Sequence, residues 1–440
     1  MLLHNIWIAC KSLRRSPTLS VLIVACIALG IAFATTFATV RHAFTKHPLP
    51  DKEAVLRYIR LDNWDPRQPY PGDRPDSLPP QVTYRDAMEL RRSTLPARQT
   101  AAFRARLTII PDPKVARPSR EEVRMAESDF FEMFQAPFRY GGPWTREADA
   151  RPEQVVVLSE GLNERLFGGR NSVGETLRIE TRDFRVIGVL AGWQPTVRMY
   201  DLTGNALSEP EALFMPFGLM VPMEIRTAGN SDGWTRQAGS GFKASLASEQ
   251  AYLQYWVELR SPADEAAYRS FVESYIAEQK RLGRFARPMN YRVSSITALM
   301  DDFEVAPKET FALLMVGLLF LAVAAVNLIG LLLGKFLARA NEVGVRRALG
   351  ASRRDVFLQH LVECQVVAII GGAIGVGMAA VGLRVLNSFM LDTVNRANVF
   401  ALDARMLLLA LLLSIVAGLI SGAYPAWRIC RLAPANHLKA

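Results

Sequence analysis

The pattern of apolar and polar positions divides this 440-residue chain into four long hydrophobic runs and one long mixed segment. Each run has roughly 20 largely apolar residues, the length that an α-helix needs to cross about 30 Å of hydrocarbon. Glu363 is the charged exception, and it lies close enough to the end of its run to reach the membrane interface. The pattern therefore predicts four membrane spans, at residues 19–40, 311–334, 361–383 and 406–424.

The mixed segment, residues 41–310, alternates between strand-like and helix-like patterns. Near its two ends, strand composition is found in AVLRYIRL, AAFRARLTII, YLQYWVELR and NYRVSS, and helical spacing in QVTYRDAMELRRS and after Ser261 and Pro262. These two β-α-β units, at about 48–110 and 251–300, are predicted to pair into one subdomain. Residues from about 111 to 250 form an inserted subdomain, with strands at EQVVVLS and RDFRVIGVLA and a helix at SEGLNERLFG that Gly168 can end.

The predicted fold class is a membrane protein with four transmembrane α-helices and a large α+β domain between the first and second spans. Residues 335–360 and 384–405 connect the later spans, and residues 425–440 form a tail. Residues 1–18 alternate apolar and polar positions at helical spacing. That pattern fits either an amphipathic helix in the membrane interface or an ordinary flanking tail.

The positive charge of the chain lies beside the predicted spans. The net charge is +10, and residues 1–18, 335–360 and 425–440 together carry all of this excess. The positive-inside rule places these three segments in the cytoplasm, with both termini, and places residues 41–310 and 384–405 outside. The charge is therefore a topology signal and does not indicate nucleic-acid binding.

The positions of the cysteines indicate whether disulfides can stabilise the mixed segment. All four cysteines lie in the spans or beside them, so residues 41–310 can form no disulfide and must be held by their own core: Cys10, Cys26, Cys364 and Cys430.

The first span is predicted to be a retained anchor. The alternative, a cleaved signal peptide, usually has a shorter apolar core and a small-residue cleavage site.

Small residues recur at four-residue spacing in the last three spans, a pattern that lets helix backbones approach closely in lipid. The pairs are Gly330 with Gly334, Gly371 with Gly375, and Gly418 with Gly422. Asn327, in the second span, is interpreted as a residue that forms an interhelical hydrogen bond. Together these residues favour a packed bundle or a dimer.

The sequence carries no recognisable catalytic or metal site. The nearest approach to a phosphate-binding loop is GLLLGKF, which has the wrong spacing and lies in a span. His42 and His47 have no carboxylate or cysteine at ligand spacing, and they are interpreted as part of a solvated stalk. Asp301 and Asp302 are interpreted as surface acids. We therefore predict no catalytic residue, no metal and no bound cofactor in this chain.

The stretch NEVGVRRALGASRRDVF, residues 341–357, predicts a helix, a corner and a second helix. Glu342 precedes Arg346 by four residues, the favourable order for a helical ion pair. Gly350 can end the first helix, and Ser352 with Asp355 can cap the next one. The simpler interpretation, in which the arginines only orient the protein or touch anionic lipid, stays open at this point.

NEVGVRRALGASRRDVFLQHLVECQVVAIIGGAIGVGMA resembles the signature of ABC transporter permeases of the macrolide-exporter (MacB), lipoprotein-releasing (LolC and LolE) and FtsX group. The stretches VTYRDAMELRRS, FFEMFQAPFRYGGPWT and EQVVVLSEGLNERLFGGRNSVGETLRIETRDFRVIGVL resemble the periplasmic core of that group, and YPAWRICRLAPANHLKA resembles its C-terminal end. The resemblance thus extends over most of the chain.

The resemblance implies a multi-pass protein of the bacterial inner membrane, with a periplasmic domain after the first span. It implies a dimer with a second permease copy or a paralogue, and a separate cytoplasmic ABC ATPase dimer that binds ATP and Mg. A periplasmic adaptor and an outer-membrane channel are further partners in the group. The residues that match the coupling motif are Glu342, Gly344, Arg346, Arg347, Ala348, Gly350 and Ala351.

In that group, closure of the ATPase moves the periplasmic domain through helices that extend from the first two spans. Residues 42–47 and 300–310 would be those extensions here. Asn341 and Ala433 depart from the usual motif, which leaves open whether the chain serves efflux, lipoprotein release or FtsX-like signalling to a periplasmic partner. A receptor without any ATPase is a further alternative.

Overall fold

A computed structural model describes residues 17–72, 75–235, 239–338, 343–345, 350–394 and 399–430. They divide into two compact units, of which one is His47–Val305 and the other contains the helices on either side of it. Residues 1–16, with the predicted amphipathic helix, and residues 431–440 lie outside the described residues.

The elements are, in chain order, α1 (Pro17–Thr45), β1 (Leu56–Leu61), β2 (Val82–Thr83), α2 (Tyr84–Leu90), β3 (Arg98–Ile110), β4 (Ser119–Ala126), α3 (Asp129–Met133), β5 (Phe138–Gly141), α4 (Arg146–Ala150), β6 (Val155–Leu158), α5 (Glu160–Phe167), β7 (Thr176–Ile179), β8 (Arg182–Leu190), β9 (Leu213–Pro216), α6 (Phe242–Leu246), β10 (Ala251–Glu258), α7 (Pro262–Arg281), β11 (Tyr291–Ser294), α8 (Ile296–Asp302), α9 (Lys308–Leu337), α10 (Arg353–Val394) and α11 (Ala404–Cys430).

Each predicted span lies inside one long helix. Among the described residues, α1, α9, α10 and α11 are long and apolar enough to cross a membrane. α10 continues past the predicted end of its span to Val394, so much of the predicted loop 384–405 is helical. Residues 384–394 contain neither glycine nor proline, and nothing in the sequence stops the helix there.

The prediction that residues 300–310 form a helical extension of the second span is wrong, because the helix is interrupted there. α8 ends at Asp302 and α9 begins only after Pro307. Glu304 between them has a φ of 47°, and a proline disfavours the helical conformation of the residue before it. On the first span, α1 continues beyond residue 40 to Thr45.

The His47–Val305 unit is built on one 11-stranded sheet, ordered β11-β1-β10-β3-β4-β9-β6-β8-β5, with β2 beside β10 and β7 beside β3 and β8. β1 is antiparallel to β10 and β11, and β3 is antiparallel to β10, so the two bracketing β-α-β units do pair. β3 then continues and pairs with β4 along Phe103–Ile109. This one 13-residue strand therefore belongs to both predicted subdomains.

Local sequence signals set several helix ends in this unit. The Ser261 hydroxyl accepts a hydrogen bond from the Asp264 N–H at 3.1 Å, and Pro262 occupies the first turn of α7. Gly168 ends α5 with a φ of 63°, a conformation that favours glycine. These caps agree with the predicted boundaries.

The core of this unit combines an apolar cluster with a buried network of charges. Arg124 on β4 is fully buried, and its Nη2 lies 2.7 Å from Asp201 Oδ2 and contacts Glu211. Arg198 Nη1 lies 3.5 Å from Glu211 Oε1, and the Tyr200 hydroxyl donates to Glu211 at 3.0 Å. Since an unpaired buried charge is costly, this network holds residues 198–211 against β4 in a domain without cysteines.

Candidate functional site

The four long helices pack so that α1 and α11 each lie against both α9 and α10. Buried apolar side chains from all four helices form one cluster, which includes Ile27, Leu332, Val367 and Ala417. The cluster also takes in Val343 and Val356 from the 335–360 segment. This segment is therefore anchored in the same core as the spans it connects.

Four of the glycines predicted at helix contacts lie where helices meet closely. A Cβ at Gly371 would lie 2.9 Å from Ile27 Cβ, and one at Gly375 would lie 2.7 Å from the Ala28 carbonyl oxygen. On α11, a Cβ at Gly418 would lie 2.6 Å from Ala368 Cβ. A Cβ at Gly422 would meet Cys364 Cβ at the same distance.

Gly330 and Gly334 do not share this role within the chain. No described atom lies within 4 Å of a Cβ built on either of them, and both are exposed on α9. The side chain of Asn327 is exposed on the same face of α9, so no described helix of this chain covers it, and its interhelical hydrogen bond stays a prediction. The spacing 327, 330, 334 puts one amide and two glycines in a row along this helix.

Two further glycines, not predicted from the sequence, make the contact between α1 and α9. A Cβ at Gly30 would lie 2.8 Å from Leu321, and one at Gly317 would lie 3.0 Å from Phe37. Gly317 has no small residue four positions away, and Gly30 has Ala34 but no second glycine, so a search for glycine pairs at four-residue spacing could not find either of them.

The structure describes only part of the predicted coupling motif. Gly344, Gly350 and Ala351 are described, whereas the charged or small residues between them lie outside the described residues: Glu342, Arg346, Arg347 and Ala348. The predicted ion pair of Glu342 with Arg346 therefore stays a prediction.

The corner before α10 has the local geometry that its sequence predicts. Gly350 has a φ of 102°, which a residue with a side chain rarely adopts. The Asp355 N–H donates to the Ser352 hydroxyl at 3.1 Å, and that hydroxyl donates to Asp355 Oδ2 at 2.6 Å. α10 begins directly after this cap, at Arg353. A tight turn and a capped helix thus follow one another within six residues.

A buried charge pair joins the ends of α9 and α10 where the 335–360 segment leaves them. Lys335 Nζ lies 2.8 Å from Glu363 Oε1, and both side chains are at most 3% exposed. His360 Nδ1 lies 3.7 Å from Glu363 Oε2, and the His360 and Phe336 rings are 4.3 Å apart. The expectation that Glu363 reaches the membrane interface is therefore wrong. The opposite charges of Lys335 and Glu363, at the facing ends of two consecutive spans, were the sequence signal from which this contact could have been predicted.

The two histidines near the end of α1 have carboxylate partners. His42 Nε2 lies 3.5 Å from Asp403 Oδ2 at the start of α11, and His47 Nε2 lies 2.8 Å from Glu53 Oε2. Asp302, interpreted from sequence as a surface acid, pairs with the buried Arg60. Within the described parts of the chain, no group of three or more His, Cys, Asp or Glu could hold a metal ion.

Two protein-family models match the sequence. A MacB-like periplasmic core domain matches residues 20–275, which is more than half of the chain, and an FtsX-like permease C-terminal region matches residues 314–434. The second match covers α9 from residue 314 onward and all of α10 and α11, together with the 335–360 segment. The two matches together therefore cover most of both compact units.

Individual relatives point the same way. A macrolide export ATP-binding/permease protein MacB of Syntrophobacter fumaroxidans is 26% identical over 335 residues, which are 69% of this chain and 45% of that protein. The protein of the same description from Bdellovibrio bacteriovorus is 24% identical over 68% of this chain and 41% of its own length. The chain thus spans less than half of the length of these relatives.

A solved structure, the periplasmic region of MacB from Actinobacillus actinomycetemcomitans, aligns with 59% of this chain and 97% of its own, with a TM-score of 0.36 and 14% identity. The classification rests on the family models, which account for the α+β domain between the first two spans and for the three helices after it. The chain belongs to the ABC transporter permeases of the MacB/FtsX group.

Proposed function

We propose that this chain is the permease subunit of a mechanotransmitting ABC transporter. It couples ATP hydrolysis by an ABC ATPase on the cytoplasmic side to movements of the periplasmic domain, and these movements drive export of a substrate from the periplasm. ATP and Mg bind to the ATPase subunits and not to this chain. Membership of the permease family is the observation that carries the proposal.

The docking surface for the ATPase is residues 342–351 of the 335–360 segment, and its matching residues are Glu342, Gly344, Arg346, Arg347, Ala348, Gly350 and Ala351. Support comes from the corner itself, since Gly350 and the Ser352–Asp355 cap specify a turn that a topology signal alone does not need. Val343 and Val356, on either side of this corner, are buried in the helix bundle and so fix its position.

The proposed location is the bacterial inner membrane, with both termini in the cytoplasm. The distribution of the net charge supports this orientation, because the three basic flanks belong on one side and the long α+β domain on the other. Membrane lipids surround the exposed apolar side chains of the four helices.

A second permease copy, identical or related, is the partner proposed for the exposed face of α9. Asn327, Gly330 and Gly334 lie exposed in one row there, and a polar side chain facing lipid favours association with another helix. A periplasmic adaptor and an outer-membrane channel would complete an exporter. The relatives are named for macrolide export, and we extend to this chain only the export of a substrate of unassigned class.

Paired substitution of the docking arginines tests the proposal. R346K/R347K retains both charges but removes the planar guanidinium fork that binds carboxylates with two hydrogen bonds. We expect recovery of the ABC ATPase with the purified permease to fall at least about tenfold, the effect of losing one charge-assisted hydrogen bond. The matched control is R353K/R354K, because these arginines are exposed at the start of α10 beside the proposed surface.

Equal recovery from both variants would contradict docking through Arg346 and Arg347. Absence of any ATPase from the wild-type preparation would contradict the transporter itself and would favour a receptor. Co-purification of an adaptor and an outer-membrane channel supports efflux, whereas recovery of a periplasmic cell-wall hydrolase would favour FtsX-like signalling, and recovery of lipoproteins would favour lipoprotein release.

A further inference from the structure

The end of α9 and the first turns of α10 are joined by two adjacent contacts. Lys335 and Phe336 are consecutive on α9, and they contact Glu363 and His360, which lie three residues apart on one face of α10. Phe336 is fully buried, and Lys335, His360 and Glu363 are each no more than 5% exposed. We call these four residues the base contact.

The base contact occupies both ends of the 335–360 segment. Lys335 lies two residues before the end of α9 at Leu337. Glu363 lies ten residues into α10, which is about 15 Å along the helix from its capped start. The described start and end of the segment are therefore joined by one ion pair. A displacement of the segment acts on α9 and α10 at the same point.

Buried charges in a membrane helix are expensive, and a pair persists where it has a function or a fixed geometry. An apolar pair of similar volume is often as stable as a buried ion pair, so stability alone does not require Lys335 and Glu363. The close approach of the two charges, 2.8 Å between Nζ and Oε1, holds the two helices together, because separating them would leave each buried charge without its partner.

We propose that Lys335 and Glu363, supported by His360 and Phe336, are positioning residues that make α9 and α10 move as one body when the 335–360 segment is displaced. This inference rests on the proposed function for the source of the displacement. The joining of the two helices is independent of it. In the transporter, the base contact would carry the movement of the docked ATPase to the second and third spans together.

The test compares the wild-type chain with K335M/E363L, which replaces the ion pair by apolar side chains of similar length. Spin labels at Leu337 and Leu358, both more than 40% exposed, report the distance between α9 and α10 by electron paramagnetic resonance of the full chain in lipid nanodiscs. Serine or alanine replaces the native cysteines. A second readout is the stimulation of ATP hydrolysis when the permease is added to its co-purified ATPase.

We expect K335M/E363L to lose the single narrow distance peak of the wild-type chain, with stimulation of ATP hydrolysis reduced at least about tenfold and ATPase recruitment unchanged.

Two variants serve as controls. K335R keeps the charge and should retain the wild-type peak. H42Q/D403N replaces both members of the contact between α1 and α11 by uncharged amides and leaves the side-chain amide of residue 403 able to cap α11, so it should leave both readouts unchanged. Should K335M/E363L not reach the membrane, E363D, with a carboxylate one methylene shorter, takes its place.

A wild-type distance peak in K335M/E363L would overturn the inference, and so would a broadened peak with full stimulation. If the wild-type chain recruits no ATPase, the proposed function fails. The distance measurement then still decides whether the base contact joins α9 to α10.

Discussion

Glu127, directly after β4, is a buried carboxyl group in the core of the α+β domain. It is 4% exposed, Arg91 lies within ion-pair distance of one oxygen, and the Ala101 N–H donates to the other at 3.1 Å. Burial is the largest influence and outweighs the effect of Arg91, so it raises the pKa of Glu127 to about 7 from an ordinary value of 4.5. The nearby Asp149 also has a raised pKa because of burial.

This shift predicts how the stability of the domain depends on pH. Because the folded state holds the proton more tightly, the contribution of Glu127 is greatest below pH 4.5, declines as the pH rises towards 7, and is constant above that. E127Q cannot ionise, so we expect a weaker loss of unfolding free energy between pH 5 and pH 7, with the part due to Asp149 remaining.

Chemical unfolding of the purified full chain, followed by tryptophan fluorescence, measures this difference. Five of the seven tryptophans lie between His47 and Val305, so the signal reports mainly on that unit. E132Q is the matched control, since Glu132 is exposed and pairs with Arg98 on the surface. Identical pH profiles for E127Q and the wild-type chain would contradict the raised pKa.

At the scale of elements, the glycines of α9 and α10 share a sequence pattern but have different surroundings. G375A places a methyl group 2.7 Å from the Ala28 carbonyl oxygen, and we expect it to cost about 1–3 kcal/mol because the backbone of α1 must move. G330A meets no described atom and should leave the thermal unfolding midpoint unchanged or slightly raised, because alanine favours a helix more than glycine does.

The larger variant G330L tests the proposed contact with a second permease copy. It should fold as well as G330A but self-associate less in nanodiscs, as measured by cross-linking, if a second copy covers this face. Destabilisation by G330A as large as that by G375A would contradict the arrangement of α9 in the bundle.

The elements also show how far local patterns reach. The caps at Ser261 and Ser352 and the end of α5 at Gly168 follow from two to four neighbouring residues, so the sequence predicts them. The double pairing of β3 with β10 and β4 could not be predicted in this way. It depends on strands that are distant in the chain, and the apolar pattern of β3 is the same whichever strand lies beside it.

At the scale of the whole molecule, the orientation in the membrane is open to a direct test. Glu153, exposed in the periplasmic domain, and Arg354, exposed at the start of α10, are each replaced by cysteine in a variant without native cysteines. A membrane-impermeant maleimide should label E153C in intact spheroplasts, and R354C only after the membrane is opened. Labelling of R354C in intact spheroplasts would contradict the proposed orientation and with it ATPase docking at the 335–360 segment.

The four spans, the composition of the α+β domain and the corner at Gly350 can be predicted from the amino-acid sequence, because span length, strand composition and helix caps are properties of short stretches. The packed helices were needed to show which glycines meet another helix, where Asn327 faces, and that Glu363 is buried against Lys335. These features depend on how each helix is rotated about its own axis. That rotation is set by the packing of all four helices together, so it cannot be predicted from the residue at any single position of the chain.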